Sequence, residues 1–268
     1  MRWMIISSAL LVMVWSGCKT EENAGDTDLT TVVDHVYAER GLLSITPLIN
    51  ALKAGPGAWD QLASHTCAQV DSIVGDTAAF PGNGPVIIYM RYPDPGCVDI
   101  DGRTRSGAMR MMITGELSVP GTIAEVNSTD LTVDGKRHRF GMRDSIAVDS
   151  TIIVRMDSSA MFRSGDWSRT FTGILGYRQV AGTGDAMHEN DIYRCSVDLD
   201  GQDHNGLPYT ATSSADLMIS IACKWVTVGE EVIIPEGKSE RYLDYGAGAC
   251  DANSAITVED EVFGLTIP

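Results

Sequence analysis

Apolar and polar positions follow two different periods along the chain. Between residues 29 and 54, Val32, Val33, Val36 and Tyr37 recur at helical spacing and Gly41 interrupts the run. Thr46-Pro47 then supplies an N-cap followed by proline at the first helical position, and Leu48, Ile49 and Leu52 extend the apolar face as far as Gly55-Pro56-Gly57. This spacing predicts helices within residues 29–64. From about residue 66 the period becomes two: β-branched runs such as Val86-Ile87-Ile88-Tyr89, Thr151-Ile152-Ile153-Val154 and Glu231-Val232-Ile233-Ile234 are divided by Gly, Asp and Asn. Asp-Gly pairs at 101–102, 134–135 and 200–201 are signals for tight hairpin turns, and no crossover helix follows residue 66, so the pairing is antiparallel. The expected fold is mainly β: an antiparallel meander or sandwich over residues 65–268, with the N-terminal helices packed on it or capping it.

The first residues follow neither period. Met1-Arg2, the mostly apolar Trp3 to Trp15, and Ser16-Gly17-Cys18 have the layout of an export signal, and an apolar run this short does not span about 30 Å of hydrocarbon. The cysteine after Ser-Gly resembles a lipobox, although Trp15 stands where Leu, Val or Ile is usual. The resemblance implies cleavage before Cys18 and acylation of its thiol and new amino group, an anchor of three chains that does not come off. The polar, acidic residues 18–28 are expected to form a flexible tether. Lys19 followed by Glu21-Glu22 is similar to the surface-export signal of Bacteroidota lipoproteins, which implies the outer membrane and its external face. The organisation expected is a signal peptide over 1–17, a tether over 18–28, a helical segment over 29–64 and a β domain over 65–268.

Charge narrows the partners. The chain has 20 Lys/Arg against 36 Asp/Glu, a net charge of −16, and losing residues 1–17 removes one base, Arg2, and no acid, leaving −17. Such a field repels a phosphate backbone, so nucleic acid is not an expected partner. The least acidic region is 103–143. There Arg137 and Arg139, two apart on a strand, share one face while Lys136 and His138 take the other. One reading is a patch for an anionic polysaccharide or lipopolysaccharide; the other is a solvated face pairing with neighbouring acids.

Self-similarity organises the cysteines. Val98-Asp99-Ile100-Asp101-Gly102 resembles Val197-Asp198-Leu199-Asp200-Gly201, each shortly after a cysteine. Cys67 to Cys97 and Cys223 to Cys250 each enclose a strand, a turn-rich segment and a strand. Cysteines at opposite ends of a hairpin are cross-strand neighbours, which predicts disulfides Cys67–Cys97 and Cys223–Cys250; a loop of about 30 residues closed in this way contributes about 3–4 kcal/mol. Cys195 remains as an odd, buried thiol. Cys67-Ala68-Gln69-Val70, Asp101-Gly102-Arg103-Thr104-Arg105-Ser106-Gly107, Cys223-Lys224-Trp225 and Asp244-Tyr245-Gly246 with Cys250-Asp251 together resemble the recurrent blocks of an uncharacterised Bacteroidota cell-envelope lipoprotein family. That resemblance implies no catalytic residue.

No sequence motif assembles a reaction. There is no His-Glu-x-x-His, Gly-x-Ser-x-Gly or Cys-x-x-Cys, and Gly237-Lys238-Ser239 lacks the earlier glycine of a phosphate loop. Asp99 and Asp101, and Asp198 and Asp200, imitate the start of a calcium loop but lack its third acid; Ca²⁺ is the one cofactor to consider, against simple hairpin turns. His188 and His204 lie in an acidic stretch with no diagnostic metal spacing. Arg103 and Arg105 either offer guanidinium forks to a carboxylate or phosphate, or bond Asp99 and Asp101 and pin the turn. Trp167, Trp225, Tyr177, Tyr193 and Tyr209 either stack on sugars or fill the core. The function expected is a non-enzymatic envelope lipoprotein that binds a glycan or protein partner or serves structurally. The alternative is a glycan hydrolase whose carboxylates come from separate strands.

Overall fold

The computed structural model describes residues 26–45, 48, 59, 66–162, 168–183 and 188–267. Cys18, Trp167 and most of the expected second helix lie outside them. Thirteen strands form one antiparallel sheet whose spatial order is the chain order. They are β1 (Gln69–Val74), β2 (Val86–Val98), β3 (Thr104–Ile113), β4 (Ile123–Val133), β5 (Lys136–Ile146), β6 (Ile152–Phe162) and β7 (Ser168–Ala181). After a 3-10 turn at His188–Asn190 come β8 (Ile192–Gln202), β9 (Pro208–Ser220), β10 (Val226–Pro235), β11 (Arg241–Ala247), β12 (Asn253–Val258) and β13 (Glu261–Thr266). Helix α1 (Thr30–Leu43) precedes them among the described residues.

The meander is uninterrupted because every connection is short and rich in turn residues. Asp134-Gly135 turns β4 into β5 with both residues at positive φ, the pairing such a two-residue hairpin requires. At the β8–β9 turn the Asp203 carboxylate accepts the backbone N–H groups of Asn205 and Leu207, an Asx-type turn. This corrects the expectation for Asp200-Gly201, which lies inside β8 and makes no turn. A Cβ on Gly201 would overlap the Tyr209 ring packed across it, so that glycine is there for a close approach.

A flat sheet of this length could not surround a helix, and register shifts bend it. Irregularities fall between Ser106 and Met109, Ser128 and Leu131, Arg139 and Met142, and Met156 and Ser159, a continuous line across β3 to β7. Gly107 and Gly173 on this line have φ of 96° and 142°, and a Cβ on either would collide with the backbone carbonyl of Asp130 or Asp198.

The inward face of the bent sheet carries the apolar half of the alternation, including Val86, Ile88, Val126, Val154, Leu175, Leu199 and Ile233. Helix α1 lies against that face and is buried on nearly all sides, including Asp34, His35, Glu39 and Arg40. Gly41 does not interrupt it, contrary to the sequence expectation: the helix runs on to Leu43, and the missing side chain makes room for the His138 ring. The end of the expected tether is also fixed. Asp26 accepts from Arg241 at 2.5 Å and Asp28 pairs with Lys238, and both bases belong to the β10–β11 connection or the strand it leads into.

Two disulfides fasten the hairpins as their spacing predicts. Cys67–Cys97 links the start of β1 to the end of β2, and Cys223–Cys250 brackets β10 and β11. Cys195 is free and buried on β8.

One inward residue contradicts its surroundings. Asp144 on β5 is fully buried between Ala124 and Val154, neither of its oxygens has a hydrogen-bond partner, and burial raises its carboxyl from 3.8 to about 8. The folded protein therefore keeps a proton that the unfolded chain releases above pH 3.8. Stability attached to this group is fully present below that value and is lost as the pH rises toward 8. Replacing it by valine, Asp144→Val, should stabilise the protein by about 4 kcal/mol at pH 7, and the gain should shrink as the pH falls to 4. Urea unfolding of both proteins across pH 4–8 measures this; a gain that did not vary with pH would show that Asp144 is ionised in the fold.

Candidate functional site

Three places bring functional side chains together. The first is the β2–β3 turn. Arg105 donates to Asp99 at 2.9 Å and to both oxygens of Asp101 at 2.8 and 2.7 Å, and Arg103 donates to Asp101 at 2.5 Å and to the Lys224 carbonyl. Thr66 adds a hydroxyl donor to Asp99. All four charged residues are at least nine-tenths buried. Burial alone would raise the Asp101 carboxyl, but Arg105 and Arg103 outweigh it and hold it below the usual carboxylate range. Of the two readings of these arginines, the geometry follows the turn-pinning one, and through Lys224 the turn is joined to the β9–β10 connection. Guanidinium groups thus occupy the place at Asp99 and Asp101 that a calcium ion would need. A cavity of about 40 Å³ adjoins the network, walled on its other side by Leu43, Ile219 and Ile221. It has room for only a few water-sized groups.

The second place is on the outer face. Arg137 and Arg139 both point outward from β5, as their spacing predicts, and their guanidinium carbons lie 4.8 and 5.7 Å from the centre of the Phe162 ring. Where the bulge line crosses β5 to β7, Arg139 meets Asp157, Thr170 and Thr172, with Asp200 and Gln202 of the adjoining β8, around a groove of about 320 Å³ also lined by Phe171 and Gly201. Four strands supply these groups, each projecting outward on the polar half of the alternation. Asp198 lies outward on the same strand as Asp200, and neither joins Asp99 or Asp101.

The third place was illegible in the sequence. His35 and Glu39, one turn apart on α1, face Glu231 of β10 and Tyr245 of β11 in the core. His35 Nε2 lies 3.0 Å from Glu231 Oε2, and the Tyr245 hydroxyl bridges Glu231 Oε2, 3.0 Å away, and Glu39, its one proton serving either. Burial raises both carboxyls, and the neighbouring Glu231 raises Glu39 further. Burial also lowers the His35 imidazole and raises the Cys195 thiol, which both carboxylates push up further. No local spacing announces this cluster, since its members lie on three elements; a glutamate inside the β-branched run of β10 was the one available signal.

The remaining sequence candidates separate. His204 bonds Asp34 at 2.6 Å, Asp203 accepts from Thr31 at 3.0 Å and Asp191 accepts from Gln179 at 2.7 Å, so the acidic stretch is divided among structural contacts. Lys238 pairs with Asp28 instead of opening a phosphate loop. Tyr177, Tyr193 and Tyr209 are buried in the core, and Trp225 donates to the Ile267 carbonyl. No family model matches this chain, and comparison with the curated proteins and with the solved structures found no match.

If the Arg105 network holds the turn, removing the base leaves two buried carboxylates without it. Arg105→Met should cost about 3–5 kcal/mol, measured by chemical denaturation. A loss below about 1 kcal/mol would place the arginine at a solvated and dispensable site.

Proposed function

We propose that the protein is a lipid-anchored lipoprotein of the outer membrane that binds a glycan without cleaving it, through the groove on the outer face of β5–β8. The groove itself carries this reading. Its volume of about 320 Å³ falls in the range of small-ligand sites. Its rim offers guanidinium and amide donors, two carboxylate acceptors and two threonine hydroxyls, a set suited to the alternating hydroxyls of a sugar. One arginine faces two aspartates, so the ligand class is a neutral glycan and not the anionic polysaccharide that Arg137 and Arg139 alone would suggest. The anchor rests on Cys18 and the apolar residues before it, in keeping with the resemblance to envelope lipoproteins.

A second reading has its own support in the same groove. Asp157 and Asp200 come from different strands and flank it, the arrangement a glycoside hydrolase needs of its two carboxyls.

Intact mass of membrane-extracted protein should show a chain beginning at an acylated Cys18; an unmodified soluble product would refute the anchor. On a glycan array the wild-type protein should bind a neutral polysaccharide and leave it uncleaved over prolonged incubation. Thr172→Trp, which fills the groove from an outward position, should weaken binding at least tenfold without changing the circular dichroism spectrum. Equal binding by that variant would overturn the assignment of the groove, and release of reducing ends abolished by Asp200→Asn would establish the hydrolase in its place.

A further inference from the structure

The cluster at His35, Glu39 and Glu231 has no part in the groove, and its chemistry is unbalanced as it stands. All three side chains are buried to within 1% of completely, and one donor atom from each lies within 4.8 Å of the others. Among the described residues the buried arginines are engaged elsewhere: Arg40 with Asp134, Arg169 with Asp34, Arg105 and Arg103 with Asp101, Arg241 with Asp26. Glu39 Oε1, Glu231 Oε1 and His35 Nδ1 have no hydrogen-bond partner. Two carboxyl groups placed in a low-dielectric core, with spare lone pairs and no cation beside them among the described residues, hold protons that solvated carboxyls would release and cost stability as they stand.

We propose that these residues form a binding site for a divalent first-row transition ion, with His35 Nε2 and one oxygen each of Glu39 and Glu231 as ligands. On binding, the ion displaces to solvent the protons that the buried carboxyls hold, and the two carboxylates then match its charge and leave the site neutral. An ion about 2.0–2.2 Å from each donor separates tetrahedral donors by roughly 3.3–3.6 Å. The 3.0 Å between His35 Nε2 and Glu231 Oε2, inside a set spanning at most 4.8 Å, brackets that spacing. One imidazole nitrogen with two carboxylate oxygens suits Zn²⁺, Mn²⁺ or Fe²⁺, whereas Ca²⁺ needs six to eight oxygens. The Tyr245 hydroxyl, within hydrogen-bond reach of both glutamates, orients them as an outer-shell group. Because the cluster is sealed, the ion enters as the chain folds, and once bound it fastens α1 to β10 and β11.

The test uses the untagged mature protein with its disulfides intact, unfolded in guanidinium and refolded in metal-free buffer or with Co²⁺ or Zn²⁺. After gel filtration, elemental analysis should find close to one ion per chain. The Co²⁺ form should show visible absorption bands of a low-coordinate site, and its thermal midpoint should exceed that of the metal-free form. Glu39→Gln/Glu231→Gln should retain less than a tenth of an equivalent, with no metal-dependent midpoint. Wild-type protein holding no ion after refolding, or the double variant holding as much as wild type, overturns the proposal. If the variant does not fold, the cobalt spectrum and stoichiometry of the wild-type protein decide alone.

Discussion

A helix that carries Asp34, His35, Glu39 and Arg40 can be buried only if the surrounding wall supplies a partner for each, since an unpaired charge in a core costs several kcal/mol. Here the wall supplies a hydrogen-bond partner for each from separate strands, which balances the charge of Asp34 and Arg40 but leaves His35 and Glu39 with a second glutamate. Arg169 of β7 and His204 of the β8–β9 turn take Asp34, Glu231 of β10 takes His35, Tyr245 of β11 takes Glu39, and Asp134 of the β4–β5 turn takes Arg40. Lys136 lies 3.2 Å above the Tyr37 ring, and His138 occupies the space beside Gly41. The helix thus fixes the positions of strands that are not neighbours in the sheet. Apolar packing alone, which has no direction, would leave its rotation free.

That constraint makes demands on the sheet. Contacts from β5 round to β11 reach one helix only if the strands curve, and the line of bulges with its positive-φ glycines provides the curvature. The same bend accompanies the outer groove, which lies where the bulges cross β5 to β7 and extends onto β8. Inner helix and outer groove are two faces of one distortion. The disulfides then hold the β1–β2 and β10–β11 hairpins, and Arg103 ties the β2–β3 turn to Lys224, next to Cys223.

Legibility in the sequence tracked distance along the chain. Strand periodicity, the Asp134-Gly135 turn and both disulfides were readable because each depends on residues that a hairpin brings together. Asp200-Gly201 misled because its glycine answers to the Tyr209 ring, a neighbour on the next strand, and no turn is involved. Gly41 misled for the same reason, with the His138 ring as the distant cause. The cluster of His35, Glu39, Glu231 and Tyr245 was unreadable because its contacts join residues about 200 apart, and inward alternation in β10 gave no reason to expect a carboxylate there. Arg139 and Asp200 were each singled out from local pattern, but only the bulges place them on one rim.

The proposed anchor and groove impose a geometric relation on each other. Asp26 and Asp28 are held by Arg241 and Lys238, so the chain leaves the folded body beside the β10–β11 connection, and the groove opens on different strands, β5 to β8. Residues 18–25 lie outside the described residues, and eight residues reach at most about 28 Å when fully extended. A lipid on Cys18 would therefore keep the body within about one protein diameter of the bilayer. The groove lies on the far side of the sheet from α1, so a glycan bound as proposed and the pairs that hold residues 26–28 would use opposite faces of the same sheet.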